Sequence, residues 1–368
     1  MTVLIASTLL TGPPAPAEAQ AEPAITNTSP PTLSGRAVFR GLLEASPGSW
    51  SVSDASYSFQ WLRDGAPIPK ATGRSYTPVF DDLGNRVSVR VTATKAGYAD
   101  GVARSASVRI RKKRIRVMER PRVTGVRRFE RKLTASTGTW RPAPRRFRFQ
   151  WLRDGEPIKD ATEKTYRLGH RDVGHRVRVK VVALRRGHHN GRATSRWNKQ
   201  ILHRVGVRAT VRYHVETRGK ITADLGRFKR LAHASLNDPR GWRGAGIAFR
   251  RVGSGGSMTL VLSEASQVSS FSSGCSSQWS CRVGRYVIIN QNRWKWGTES
   301  WRSGGGNLRG YRHMVVNHET GHWLGHGHRS CPAKGALAPV MQQQSISLQG
   351  CRHNPFPRPD ERKTPRFH

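Results

Sequence analysis

The residues with the densest chemical potential lie between positions 318 and 328. They read His318-Glu319-Thr320-Gly321-His322, followed by Gly325 and His328. The pattern is H-E-x-x-H-x-x-G-x-x-H. Residues four apart on a helix share a face, so His318 and His322 can reach one metal ion. Glu319 sits one residue along, close enough to touch a metal-bound water without being a ligand. A straight helix cannot return a third histidine to the same ion. Gly325 can adopt a left-handed conformation and turn the chain, which brings His328 back as the third ligand. Three neutral imidazoles leave a fourth zinc position open to water, which separates catalytic sites from structural ones. Zinc lowers the pKa of such a water toward neutrality, and a neighbouring carboxylate can take its proton and later pass it to a leaving amine. From this chain's composition, a bare H-E-x-x-H arises by chance in roughly one chain in 60, and the longer pattern in roughly one in ten thousand.

Thirteen residues after His328 comes Met341, in Pro339-Val340-Met341-Gln342. The histidine–glutamate–glycine string and the following Met together resemble the metzincin metalloproteases, whose tight Met-turn lies beneath the zinc. His318 to Cys351 is also similar to a group of secreted actinobacterial proteins known only as a domain of unknown function and regarded as zinc metalloproteases. The resemblance covers roughly the last 160 residues. It implies a twisted sheet backed by the active-site helix, one catalytic Zn2+ on His318, His322 and His328, Glu319 as general base, and structural roles for Gly325 and Met341. Some metzincins place a Tyr soon after the Met; here Gln342, Gln343 and Gln344 follow, which leaves the oxyanion donor open among nearby Arg and His side chains. His326 is expected to be solvated or supporting and not a ligand.

These residues need a scaffold. The pattern predicts an α+β domain from residue 205. Val211–Glu216, Ile247–Phe249, Met258–Leu262 and Tyr286–Asn290 read as strands. A helix is expected over Asp224–Leu236, with Leu225, Phe228, Leu231 and Ala232 on one face, and a second from about Leu308. Met258–Leu262 is expected to be the edge strand that pairs with an extended substrate. Trp294 and Trp296 are read as core or strand-end residues.

Upstream the chain repeats itself. Phe59-Gln60-Trp61-Leu62-Arg63-Asp64-Gly65 recurs as Phe149-Gln150-Trp151-Leu152-Arg153-Asp154-Gly155, an offset of 90 residues. Val87, Val89 and Val91 alternate with polar residues, as do Val177, Val179 and Val181, which is the period of a half-buried strand. Arg-Asp-Gly after each Trp strand is a turn signal, and Asp82-Leu83-Gly84 and Asp172-Val173-Gly174 precede the alternating strands. The copies resemble cysteine-free Ig-like modules of bacterial surface proteins, which implies two all-β sandwiches. Trp61 and Trp151 are expected in their cores and not on a glycan site. The expected organisation is a leader and linker over 1–23, Ig-like repeats over 24–110 and, behind a basic linker, 111–204, and a metzincin-like domain over 205–368.

The N-terminal Val3–Leu10 run and Ala17-Glu18-Ala19 resemble a secretory signal peptide, though no basic residue precedes the apolar run. The four cysteines, Cys275, Cys281, Cys331 and Cys351, are all late in the chain. Local pairing gives 275–281 and 331–351, and the spacings fit a four-cysteine zinc ribbon poorly. An even count beside a signal-like leader favours a secreted or wall-associated protein with oxidised pairs.

The composition is strongly basic, with 64 Lys and Arg against 23 Asp and Glu and a net charge of +41. Residues 1–110 carry 10 basic against 8 acidic residues, 111–204 carry 29 against 7, and 205–368 carry 25 against 8. No nucleic-acid motif accompanies the charge, and no apolar run is long enough for a membrane span. The expected partners are a protein or peptide substrate and an anionic cell-wall polymer. The alternatives to a secreted zinc endopeptidase are a surface-binding protein with a non-catalytic metalloprotease-like domain and a zinc hydrolase of wall peptides.

Overall fold

A computed structural model describes residues 22–363, so the signal-like segment lies almost wholly outside the described residues. Two compact units form. The first holds the chain through Met118 with Trp140–Phe147 and Val182–Arg192; the second holds Glu119–Thr139, Arg148–Val181 and everything from Ala193.

In the first unit, residues of the first repeat build two facing antiparallel sheets. One pairs Ser56–Arg63 with Arg86–Thr94, flanked by shorter strands. The other joins Leu33–Gly35, Leu43–Ala45 and Ser75–Tyr76. Val87, Val89, Val91 and Ala93 point inward at alternate positions and are fully buried with Trp61 and Leu43. The indole of Trp61 donates to Gly73 O at 2.9 Å and stacks on Tyr76. Asp82, just ahead of the alternating strand, is fully buried: it accepts from Tyr76 Oη at 2.6 Å, Val79 N at 2.7 Å and Arg63 Nε at 2.7 Å. Burial is affordable for this charge because every approach is a donor.

In the second unit the same lock recurs. Asp172 accepts from Tyr166 Oη at 2.8 Å, Gly169 N at 2.6 Å and Arg153 Nε at 2.8 Å. Trp151 is fully buried and donates to Glu163 O at 2.9 Å. Both repeated tryptophans are therefore core residues.

From Ala209 the second unit builds a mixed sheet backed by helices. In chain order the elements are β1 (Ala209–Arg218), α1 (Leu225–Leu236), β2 (Ile247–Arg251), β3 (Met258–Ser263), β4 (Cys281–Val283), β5 (Tyr286–Asn290), α2 (Gln291–Trp296), α3 (Glu299–Ser303) and α4 (Leu308–Trp323). The sheet order is β2-β1-β3-β5-β4. The first four are mutually parallel, and β4 runs antiparallel to β5. Strand β3 pairs on both sides and all six of its residues are buried. The expectation that Met258–Leu262 is an edge strand is thus corrected: β3 lies between β1 and β5, in a parallel arrangement covered on both faces. The edges are β2 and the short β4.

The sheet separates two apolar clusters. Leu260, Leu262, Val287 and Ile289 join Phe228 of α1 and Tyr311 and Val316 of α4 on one face. Val261 and Ile288, one residue out of phase, meet Val268 and Cys275 on the other. Asp224 caps α1 by accepting from Arg227 N at 2.9 Å, and Asn307 caps α4 by accepting from Gly310 N at 2.8 Å. Trp294 and Trp296 lie on the helix α2 and not at a strand end; Trp294 packs edge-on to Phe228 in the core, whereas Trp296 is exposed.

Candidate metal centre

Helix α4 runs buried from Tyr311 to Gly321, which fixes the face that carries His318 and His322. It ends where Gly325 takes φ +87°, a conformation an L side chain resists, and His326 N closes the turn on Gly321 O at 2.9 Å. The chain then doubles back. His322 Nε2 lies 3.2 Å from His318 Nε2 and 3.1 Å from His328 Nε2. The structure brings ring nitrogens of His318, His322 and His328 within 4.8 Å of one another.

The outer nitrogens explain what the inner ones offer. His318 Nδ1 donates to Val340 O at 2.8 Å, and His322 Nδ1 donates to His326 O at 2.9 Å. The proton of each ring is therefore on Nδ1, and each Nε2 presents a lone pair to the centre. Burial pushes His318 down to about 3 and His322 down to about 4, and it lowers His328 as well. Unprotonated nitrogens so close repel one another unless a cation lies between them. Tetrahedral bonds of about 2.0–2.1 Å separate ligand atoms by about 3.3–3.4 Å, near the distances found. The donor set could hold one zinc ion.

Glu319 is buried beside this cluster. Burial pushes its carboxyl up to about 8, and the Arg282 guanidinium on β4 pulls it partly back. Glu319 and the three histidines line a cleft of about 350 Å³ together with Trp279, Arg282 and the Gln343–Ile346 segment. Arg282 is the one guanidinium among the lining residues.

Met341 is fully buried and packs against helix α4 at Gly321. A Cβ on Gly321 would lie 2.2 Å from Met341 Sδ, so the helix needs glycine there for the Met to fit. Gln342 N donates to Pro339 O at 3.1 Å to close the turn. Gln344, the last of the three glutamines after Met341, is buried and braces the turn: its Nε2 donates to Pro339 O at 3.0 Å and Asn354 O at 2.9 Å. His326 lies outside the three-histidine group; its ring stacks on Trp242 at 4.8 Å between centroids.

Sequence reading missed three contributors. Glu361, fully buried, accepts from Val340 N and Met341 N, each at 3.0 Å, and so pins the turn whose carbonyl orients His318. Trp242 donates to Asn317 O at 2.9 Å and floors the helix end. Arg282 reaches the cleft from the edge strand. None has a local signal: each is defined only by what lies across from it. The disulfides pair Cys275 with Cys281 and Cys331 with Cys351. The first ties the cleft-lining loop to β4.

The profile of a family described as a protein of unknown function, DUF3152, matches residues 187–362, a span that includes the three histidines, Glu319 and both disulfides. No curated protein matches the chain. Among solved structures, a Ca2+-stabilized adhesin with which an Antarctic bacterium binds ice is 11% identical with a TM-score of 0.25, over 53% of this chain and 52% of its own. The chain thus spans about half the length of that adhesin. The amphioxus IgVJ-C2 molecule is 12% identical with a TM-score of 0.23, over 48% of this chain and 99% of its own. Immunoglobulin domains 1–4 of Sidekick-1 are 15% identical with a TM-score of 0.22, over 49% and 50%. The protein is β-rich and multidomain, with few helices and with immunoglobulin-type chains among its structural neighbours, and the latter part of it resembles a family of unknown function.

Proposed function

We propose that residues 205–368 form a metzincin-like, zinc-dependent endopeptidase carried behind two Ig-like modules on an exported protein. The observation that supports this best is the convergence of three imidazole Nε2 atoms beside a buried carboxyl group, inside a cleft. Zinc bound there would acidify a water and polarise a scissile carbonyl. His318, His322 and His328 would hold the ion, and the carbonyls of Val340 and His326 fix the first two rings in the ligating tautomer. Glu319 accepts a proton from the attacking water and returns it to the leaving amine; a basicity near neutral suits both transfers. Arg282 offers the positive charge that a developing oxyanion needs. The outer edge of β4 has no strand partner among the described residues, so an extended peptide can pair there by β-augmentation. In this reading the outer edge of β4, and not the internal strand Met258–Ser263, pairs with the substrate.

Two disulfides fit an oxidising compartment, and no described helix is long and apolar enough to cross a membrane. The test combines metal analysis with a peptide-library digest. About one zinc per chain is expected, with cleavage by the wild type and none by Glu319→Ala, which should keep its zinc. A folded wild-type protein that takes up no zinc, or a zinc-loaded one that cleaves nothing in the library, overturns the reading.

A further inference from the structure

The second repeat carries a groove that the first repeat lacks the residues to form. It lies between residues 119–123 and 195–198 and encloses about 520 Å³. Arg120, Arg122, Arg196 and Trp197 line it, with Glu119 the one carboxylate among the lining residues. Arg178 stacks its guanidinium over the Trp197 ring, 3.8 Å from the centroid, and its shielded Nε has no hydrogen-bond partner among the described residues. None of these four arginines enters an ion pair among the described residues. Trp197 nonetheless keeps 40% of its surface exposed.

The internal repeat supplies its own control. Ninety residues earlier, the five positions hold Pro30, Thr32, Ser88, Ala106 and Ser107. The supporting backbone is the same in both copies. Val179 N donates to Ser195 Oγ at 3.1 Å, as Val89 N does to Ser105 Oγ at 3.1 Å. Arg122 N donates to Ser136 Oγ at 2.8 Å, as Thr32 N does to Ser46 Oγ at 3.1 Å. The fold therefore does not require four arginines and a tryptophan there. An exposed indole backed by a guanidinium, with three further guanidinium groups around it, has no stabilising role that the small residues of the first copy fail to meet.

From this arrangement we infer that the groove binds an anionic sugar or polyol polymer, its sugar or polyol face packed on Trp197 and its phosphate or carboxylate groups held by the arginines. Guanidinium groups take both anions in bidentate fashion. A single-stranded nucleic acid fits less well, because sequence-tolerant binding to it uses successive aromatic platforms along a basic track, and this groove has one aromatic residue. The inference does not depend on the metal centre.

The test uses the full chain and three probes at about 0.15 M salt: poly(glycerol phosphate), polygalacturonate and a single-stranded oligonucleotide. Binding to one of the first two is expected, weakening as salt rises, and which of them binds identifies the anion. Restoring the first-repeat residues at all five positions should weaken it more than about tenfold, and Trp197→Ser alone should weaken it measurably. A control with Arg127, Arg131, Lys164 and Arg167 all changed to Ser loses the same four charges and should bind as the wild type does. Equal loss in that control, tighter binding of the oligonucleotide, or no binding of either polymer overturns the inference.

Discussion

Glu361 offers the sharpest test of how the site is built, because its effect can be worked from three hydrogen bonds. Its carboxylate is fully buried; Oε2 accepts from Val340 N at 3.0 Å and Arg358 N at 2.7 Å, and Oε1 accepts from Met341 N at 3.0 Å. Burial pushes the carboxyl above its usual range, and the three amides pull it part of the way back. Glu361→Ala leaves three amides without acceptors. At about 1–3 kcal/mol for each buried unsatisfied donor, less the relief of removing a buried charge and any bond a water restores, the net cost is about 3–5 kcal/mol. That is a large share of the roughly 5–15 kcal/mol that stabilises a typical domain. Glu361→Gln keeps one oxygen acceptor but turns an NH2 toward the remaining amide, so it should cost less than half as much. Urea unfolding followed by tryptophan fluorescence reads both. The site gives a second readout. Val340 O is the acceptor that orients His318, so a loosened turn should lower metal affinity by about 10–100-fold, the usual effect of losing such a support. An unchanged unfolding midpoint and slope in Glu361→Ala would refute the claim that this side chain pins the turn.

Two further outcomes follow from the same geometry. Gly321→Ala, which would favour an exposed helix by about 1 kcal/mol, should instead destabilise by about 1–3 kcal/mol, because the new Cβ lies 2.2 Å from Met341 Sδ and 2.9 Å from Trp242 Cζ2; a raised melting temperature would show that the Met packs elsewhere. His313 is buried against Ser235 and Phe356, and desolvation lowers it to about 4. A depressed histidine keeps its full contribution above its ordinary pKa of 6.5 and loses it as pH falls toward 4, a change of about 3 kcal/mol. The pH slope of stability across that window should flatten in His313→Gln, and an unaltered slope would assign the acid sensitivity to other groups.

The sequence by itself determined the parts whose information is local. A four-residue spacing on a helix places His318 and His322 on one face whatever surrounds them, and a glycine at 325 permits the left-handed turn that returns His328. Alternation fixed the inward faces of Val87–Val91 and Val177–Val181, and self-similarity at 90 residues announced two copies of one module. Asp224 and the apolar spacing after it placed α1 to within a residue. Tertiary structure decided everything that depends on what lies opposite. The buried run Met258–Ser263 reads alike as an edge or a centre, and only pairing on both sides made β3 central and left β4 to border the cleft. Asp82 and Asp172 have no role legible in the sequence until Tyr, Arg and a backbone amide converge on them. Glu361 lies 20 residues past Met341 and has no meaning until folding carries its carboxylate to the amides of Val340 and Met341. Periodicity and turn chemistry are properties of a few consecutive residues, whereas the acceptor a buried donor finds is a property of distant segments brought together.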